Sequence, residues 1–175
     1  RFGVVSTARQ LGGFFKPWPP GQRRLHGHTG RPSRSRAGKP LSALYLLDTD
    51  TCVALLRRNS PSLIKRLQSI SPNHLAMSMV TWAELQYGVQ ASNRVEENRS
   101  AVALLGQHIK ALDWNHEAAM HYAQIRHALK TKGKLIGSND LMIAAHALSL
   151  GATVVTNNTR DFKRVPQLSC DNWIN

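Results

Sequence analysis

At 175 residues and 19.4 kDa, with 42% hydrophobic residues, the chain has enough apolar material for one core of ordinary domain size. It has no apolar run near the roughly 18–20 residues that a membrane-crossing helix needs, and its two cysteines, Cys52 and Cys170, form no CxxC or other metal-ligand spacing, which leaves reduced thiols in a cytoplasmic protein as the default. The net charge of +13 is uneven: residues 1–44 carry nine Lys or Arg and no acid, leaving 14 basic against 10 acidic residues in 45–175.

In chain order, residues 1–43 come first, rich in Pro, Gly, Ser and Arg without a sustained period, and are expected to be a disordered basic extension. The stretch is acid-free like an organellar transit peptide, but it lacks an amphipathic stripe and its "PWPP" opposes a helix. A linker, or sequence translated upstream of the true start, fits better; an opening Arg1 rather than Met is also what a fragment of a longer chain would show. Clustered Arg attracts phosphate without sequence preference.

The single domain is expected over 44–175. A buried strand over 44–47 leads into a short helix, "TCVALLRR", and then a second, "PSLIKRLQSI", with Leu63, Ile64, Leu67 and Ile70 on one stripe. "HLAMSMV" (74–80) suits another buried strand, and "TWAELQYGVQAS" restarts helical spacing. A helix over about 95–109 aligns Val102, Leu105 and Ile109, and "KALDW" (110–114) reads as an edge strand. Ala118, Tyr122, Ile125 and Leu129 mark an amphipathic helix from Asn115 to about Lys132. The next helix, in "IGSNDLMIAAHALSLG", has Ser138 as its N-cap and Gly151 as its stop. "ATVVT" (152–156) is a strand, "NNTRDFKRV" a loop and helical turn, and "LSCDNWI" a last strand. Strands alternating with helices imply an α/β fold with a mostly parallel central sheet and helices on both faces.

Asp48, Glu84, Asp140 and Asp161 each have a structural explanation. Asp50, two residues after Asp48, caps the first helix; "TWAE" (81–84) fits a capping box joining Thr81 and Glu84; Asp140 complements the dipole of its helix; and Asn158 to Asp161 resembles a further cap. Taken together they point elsewhere. In a parallel sheet every strand-to-helix junction lies at the carboxyl edge, where such folds bind ligands. Asp48, Glu84 and Asp161 each follow a different strand, and Asp140 joins them if its helix starts near that edge. Carboxylates crowded in one cleft repel one another, and a divalent cation removes the conflict.

Oxygen ligands favour Mg²⁺ or Mn²⁺ over Zn²⁺, and such an ion commonly serves phosphoryl chemistry by binding phosphate and activating water. "HEAAM" (116–120) lacks the second His of a zinc-protease helix, and His121, His127 and His146 read as surface or core residues. "GKL" (133–135) lacks the Ser or Thr of a phosphate loop, so nucleotide triphosphate chemistry is unsupported. Arg160, Lys163 and Arg164 flank Asp161 and are placed for phosphate contact; Lys130, Lys132 and Lys134 serve as well as a solvated face.

"LLDTDTCVALL", "MSMVTWAELQYGV", "LIGSNDLMIAAHALSLGATVVTNNTRDFKRVPQL" and the closing "NW" resemble the PIN-domain ribonuclease toxins of VapC type, from type II toxin–antitoxin pairs, over about residues 44–175. The resemblance implies a PIN-like fold, Mg²⁺- or Mn²⁺-dependent endoribonuclease activity on RNA including tRNA, homodimerisation, and inhibition by a VapB-type antitoxin. The family's four acids fall on Asp48, Glu84, Asp140 and Asp161, with Thr156 and Asn157 implied to orient water or substrate. Asp50 departs from the Asn often found there in relatives, and the basic extension is not part of the pattern. Two rival readings stand beside it. "YLLDTDTC" nearly matches the DxDx[TV] signature of haloacid-dehalogenase-like phosphatases, with Cys52 in the Thr/Val position and no late "GDxxxD" segment. A non-enzymatic nucleic-acid-binding module would use the Arg-rich extension for affinity and the acids only as caps.

Overall fold

The computed structural model describes residues 44–174, so the expected disorder of 1–43 lies outside the described residues. Five short strands, β1 (Tyr45–Leu47), β2 (Leu75–Ser78), β3 (Lys110–Leu112), β4 (Thr153–Val155) and β5 (Cys170–Asp171), form one sheet in the order β3-β2-β1-β4-β5. Every pair is parallel, so the sheet is wholly rather than mostly parallel. Seven helices join the strands: α1 (Thr49–Arg57), α2 (Pro61–Gln68), α3 (Met79–Gln90), α4 (Val95–His108), α5 (His116–Thr131), α6 (Ser138–Leu150) and α7 (Thr159–Phe162).

Successive residues of a strand point to opposite faces, and the pairing register turns that alternation into two cores. Leu47, Met77 and Val155 lie side by side and bury against residues of α1 to α4, among them Leu55, Leu63, Leu85 and Leu105. Leu46, Ala76 and Val154 form the opposite row and bury against Ile125, Leu129, Ile143, Ala144 and Phe162 of α5 to α7. From β1 the chain steps outward to β2 and β3, then returns through α5 and α6 to β4 on the other side of β1. This reversal makes the carboxyl ends of β1 and β4 the switch point, where an open sheet leaves a crevice.

Several boundaries differ from expectation for local reasons. The second strand stops at Ser78, whose hydroxyl accepts the Val80 N–H (3.1 Å) and so starts α3 at Met79 rather than Thr81. The first helix begins at Thr49, with Asp48 at its N-cap position, so Asp50 is a first-turn residue and not the cap. Gly137 rather than Ser138 occupies the N-cap of α6, while Gly151 ends that helix as expected, in the left-handed region at φ 60°. The last strand is only Cys170–Asp171 because the following residues turn onto α2. Trp173 packs edge-on against Tyr45 beneath the Arg66 guanidinium, and the Ser60 and Ser62 hydroxyls donate to the Ile174 carbonyl.

Candidate active site

Asp48 leaves β1 at the switch point and is 5% exposed. Its Oδ1 accepts the Thr49 N–H (2.7 Å) and its Oδ2 the Thr156 hydroxyl (2.8 Å). Burial, then the charge of Asp50 and more weakly that of Asp140, push its carboxyl up to about 7, against the opposing pull of the Thr156 and Thr49 hydrogen bonds. Asp50 stands one helical step further, where its Oδ2 accepts the Asn157 backbone N–H (2.9 Å) and so ties the first turn of α1 to the loop after β4. That use explains why Asp50 does not cap, and it counts against the phosphatase reading, which needs this carboxyl to exchange a proton with substrate.

Glu84 lies on α3 and not in a capping box with Thr81. The helix already starts at Met79, and the buried Thr81 hydroxyl faces the Leu47 carbonyl (3.5 Å). The Glu84 carboxylate accepts instead from the Thr49 hydroxyl and from the Asn139 side-chain amide (2.8 Å). Asp140, in the first turn of α6, has its carboxyl raised by burial, then by Glu84, Asp161 and Asp50. Asn158 is no side-chain cap for α7; its Nδ2 donates to Asp140 (3.1 Å) and to Asp161 (3.2 Å), one amide bridging two acids.

Asp48, Asp50, Glu84 and Asp140 line one open cleft of about 420 Å³, together with Thr49, Val53, Arg57 and Asn158. Asp161 stands behind it, joined through Asn158 and paired with Arg164 (3.3 Å), whose other terminal nitrogen donates to the Leu135 carbonyl (3.5 Å). Thr156 is fully buried and accepts the Asn158 N–H (2.9 Å) while donating to Asp48. Asn157 is exposed, and its side-chain oxygen accepts from Asn172 (3.2 Å). Arg160 and Lys163 are exposed on α7 and just beyond it, as are Lys130, Lys132 and Lys134. His146 is in the core, its Nδ1 2.9 Å from the Ser78 hydroxyl.

Among the described residues, no three Asp, Glu, His or Cys side chains stand close enough to hold an ion between them. Neutral donors from Thr49, Asn139, Thr156 and Asn158 separate the carboxylates. The chemistry of the acids nonetheless suits a hard divalent cation: their carboxylates offer only oxygen ligands, and the carboxyls of Asp48 and Asp140 are raised partly by their own neighbours' charge. Thr49 and Asn139 were not singled out by sequence, and Asn158 was read there only as a cap. Thr49 sits inside "LLDTD" and Asn139 directly before Asp140, so adjacency to an acid was the available signal.

The PIN domain family matches residues 45–168. Ribonuclease VapC2 of Rickettsia felis is 38% identical over 131 residues, covering 74% of this chain and 98% of that protein. The tRNA(fMet)-specific endonuclease VapC of Salmonella typhimurium is 37% identical, covering 74% and 97%. Among solved structures, VapBC2 from Rickettsia felis bound to a DNA fragment from their promoter superposes with a TM-score of 0.71 at 37% identity, covering 74% of this chain and 98% of that one.

Proposed function

Since the chain belongs to the PIN-domain family and is an endoribonuclease toxin of VapC type, we propose that the acidic cleft at the ends of β1 and β4 is where it hydrolyses RNA phosphodiester bonds. One observation carries this assignment to the cleft: carboxylates from three distant segments, Asp48, Glu84 and Asp140, share its wall, and Asp161 joins Asp140 through a single amide. The reading assigns the ion to these four acids, with Mg²⁺ or Mn²⁺ the species their oxygens favour. Once bound, such an ion supplies Lewis acidity toward water and phosphate and offsets developing negative charge.

The chain's own groups do the positioning. Thr156 holds the Asp48 carboxylate at 2.8 Å, Thr49 and Asn139 hold Glu84, and Asn158 holds Asp140 and Asp161. Arg160 and Lys163 are left on the surface for RNA phosphates, Asn157 stands beside them, and Arg164 contributes mainly by fixing Asp161. The structural relatives are VapBC assemblies, which supports a VapB-type antitoxin as partner; a homodimer and a cytoplasmic setting belong to the same reading. No helix among the described residues is long and apolar enough to cross a membrane. The division into an extension over 1–43 and a domain over 44–175 is supported by a family match that begins at residue 45.

The test is cleavage of RNA in Mg²⁺ or Mn²⁺, with EDTA as control. Asp48→Asn and Asp140→Asn, which keep shape and remove charge, are expected to lower turnover by at least about a hundred-fold, on the scale of losing a group that stabilises transition-state charge, with circular dichroism unchanged. Wild-type rates in either variant would remove the cleft from the mechanism.

A further inference from the structure

We propose that the apolar groove beside the acidic cleft is a nucleobase subsite, in which a base of unpaired RNA next to the scissile phosphate packs against Tyr87 and Trp114. The inference rests on the ribonuclease reading above. The groove encloses about 660 Å³ and is continuous with the cleft through Thr49 and Glu84, which line both. That is the size class of pockets that hold small organic groups.

Its apolar wall is made by Met79, Tyr87, Trp114 and Met142, and among the described residues no Lys or Arg lines it. A phosphate would find no cation there, whereas a flat uncharged base finds rings and thioethers. Trp114 is already fixed: its indole N–H donates to the Met142 carbonyl (3.0 Å) and its ring meets Tyr122 edge-on at 6.2 Å. With its polar group satisfied, the ring is left for apolar contact. Tyr87 is 73% exposed and Met79 38%, so two of the four exposed large apolar side chains among the described residues border this groove. Apolar surface of this kind, gathered rather than scattered, marks a contact site. Asn139 also lines the groove, a side-chain amide of the type that pairs with base edges. A base inside a duplex is stacked on its neighbours and cannot enter, so the substrate strand is single or looped at this position.

The test uses the full chain and a fluorescein-labelled single-stranded RNA of mixed sequence, at about 0.3 M salt so that non-specific phosphate binding is suppressed. Binding is read by anisotropy in the Asp140→Asn background, and cleavage by kcat/KM in Mg²⁺. Base–aromatic stacking strengths lead us to expect Tyr87→Ala to weaken binding and kcat/KM by roughly ten-fold, and Tyr87→Phe, which keeps the ring, to restore both. An abasic residue scanned along the RNA is expected to cost the wild type a similar factor at one position beside the cleaved bond, and to cost Tyr87→Ala nothing more. Unchanged binding and cleavage in Tyr87→Ala, or a flat abasic scan, overturns the subsite while leaving the ribonuclease reading standing. So does an unchanged RNA profile accompanied by loss of self-association in light scattering, or of binding to an antitoxin, since the groove then belongs to a protein interface. Failure of the ribonuclease reading shows differently, as no cleavage by the wild type in either metal, and the binding arm does not need turnover.

Discussion

Thr156 carries no charge, yet its hydroxyl donates to Asp48 and accepts from the Asn158 N–H, so it joins the acid at the end of β1 to the loop that follows β4. Thr156→Val keeps the volume and removes both bonds, leaving buried partners unsatisfied at a cost of about 1–3 kcal/mol. The expected result is a melting temperature several degrees lower and at least a ten-fold loss of turnover, with Thr156→Ser retaining most of both. Asp48 has its own signature. Its folded carboxyl lies near 7, above the ordinary Asp range, so between about pH 4 and pH 7 the folded state binds more protons than the unfolded one. Stability present at low pH is therefore lost as pH rises through 7. In EDTA, the melting temperature of Asp48→Asn relative to wild type should climb from pH 5 to pH 8, and a pH-independent difference would show that Asp48 ionises normally. The convergence of the four acids on one edge of the sheet was legible in the sequence because carboxylates after three separate strands have few joint explanations. Asn158 was not, since a short amide in a loop serves caps, turns and bridges equally well.

At the scale of elements, the α/β alternation could be read from periodicity, and the sheet order follows it with one reversal. The misplaced start of α3 has a physical cause: Met79 and Val80 are apolar and prolong the look of a buried strand, but they form the first helical turn and line the groove beside the cleft. Polarity patterns report burial, and here apolar residues were placed for contact. The same shift removed the apparent capping box and set Glu84 a turn and a half into the helix, facing Thr49 and Asn139. The pairing of α3 with α4 depends on close approach. A Cβ built on Gly106 would lie 2.9 Å from two atoms of the Trp82 ring. Gly106→Ala should cost about 1–3 kcal/mol by overpacking, which thermal unfolding would show as a drop of several degrees; an unchanged melting temperature would mean that the indole moves aside freely.

For the whole molecule, the site is a product of topology. The chain crosses to the far side of β1 only once, and the acids converge where it does so, with two separate cores holding helices on opposite faces of the sheet. The basic extension stands apart from this scheme, since nine Lys or Arg and no acid lie within residues 1–43. Removing it is expected to leave RNA cleavage intact and to make RNA affinity less sensitive to salt, because fewer phosphate contacts release fewer counterions. Loss of cleavage on removal would give the extension a part in the reaction itself.

The amide of Asn158, shared between Asp140 and Asp161, also has a bearing on how such a site can change over generations. It acts as a neutral placeholder within a crowd of negative groups. Exchange for Asp takes a single nucleotide step in the gene, and would add a charge where the repulsion is already felt by Asp140. With a cation bound in the cleft as proposed above, the resulting protein would be less stable when the cleft is empty and would bind the cation more tightly, so position 158 is a dial on which descendants of this sequence can trade endurance in the resting state for grip on a metal.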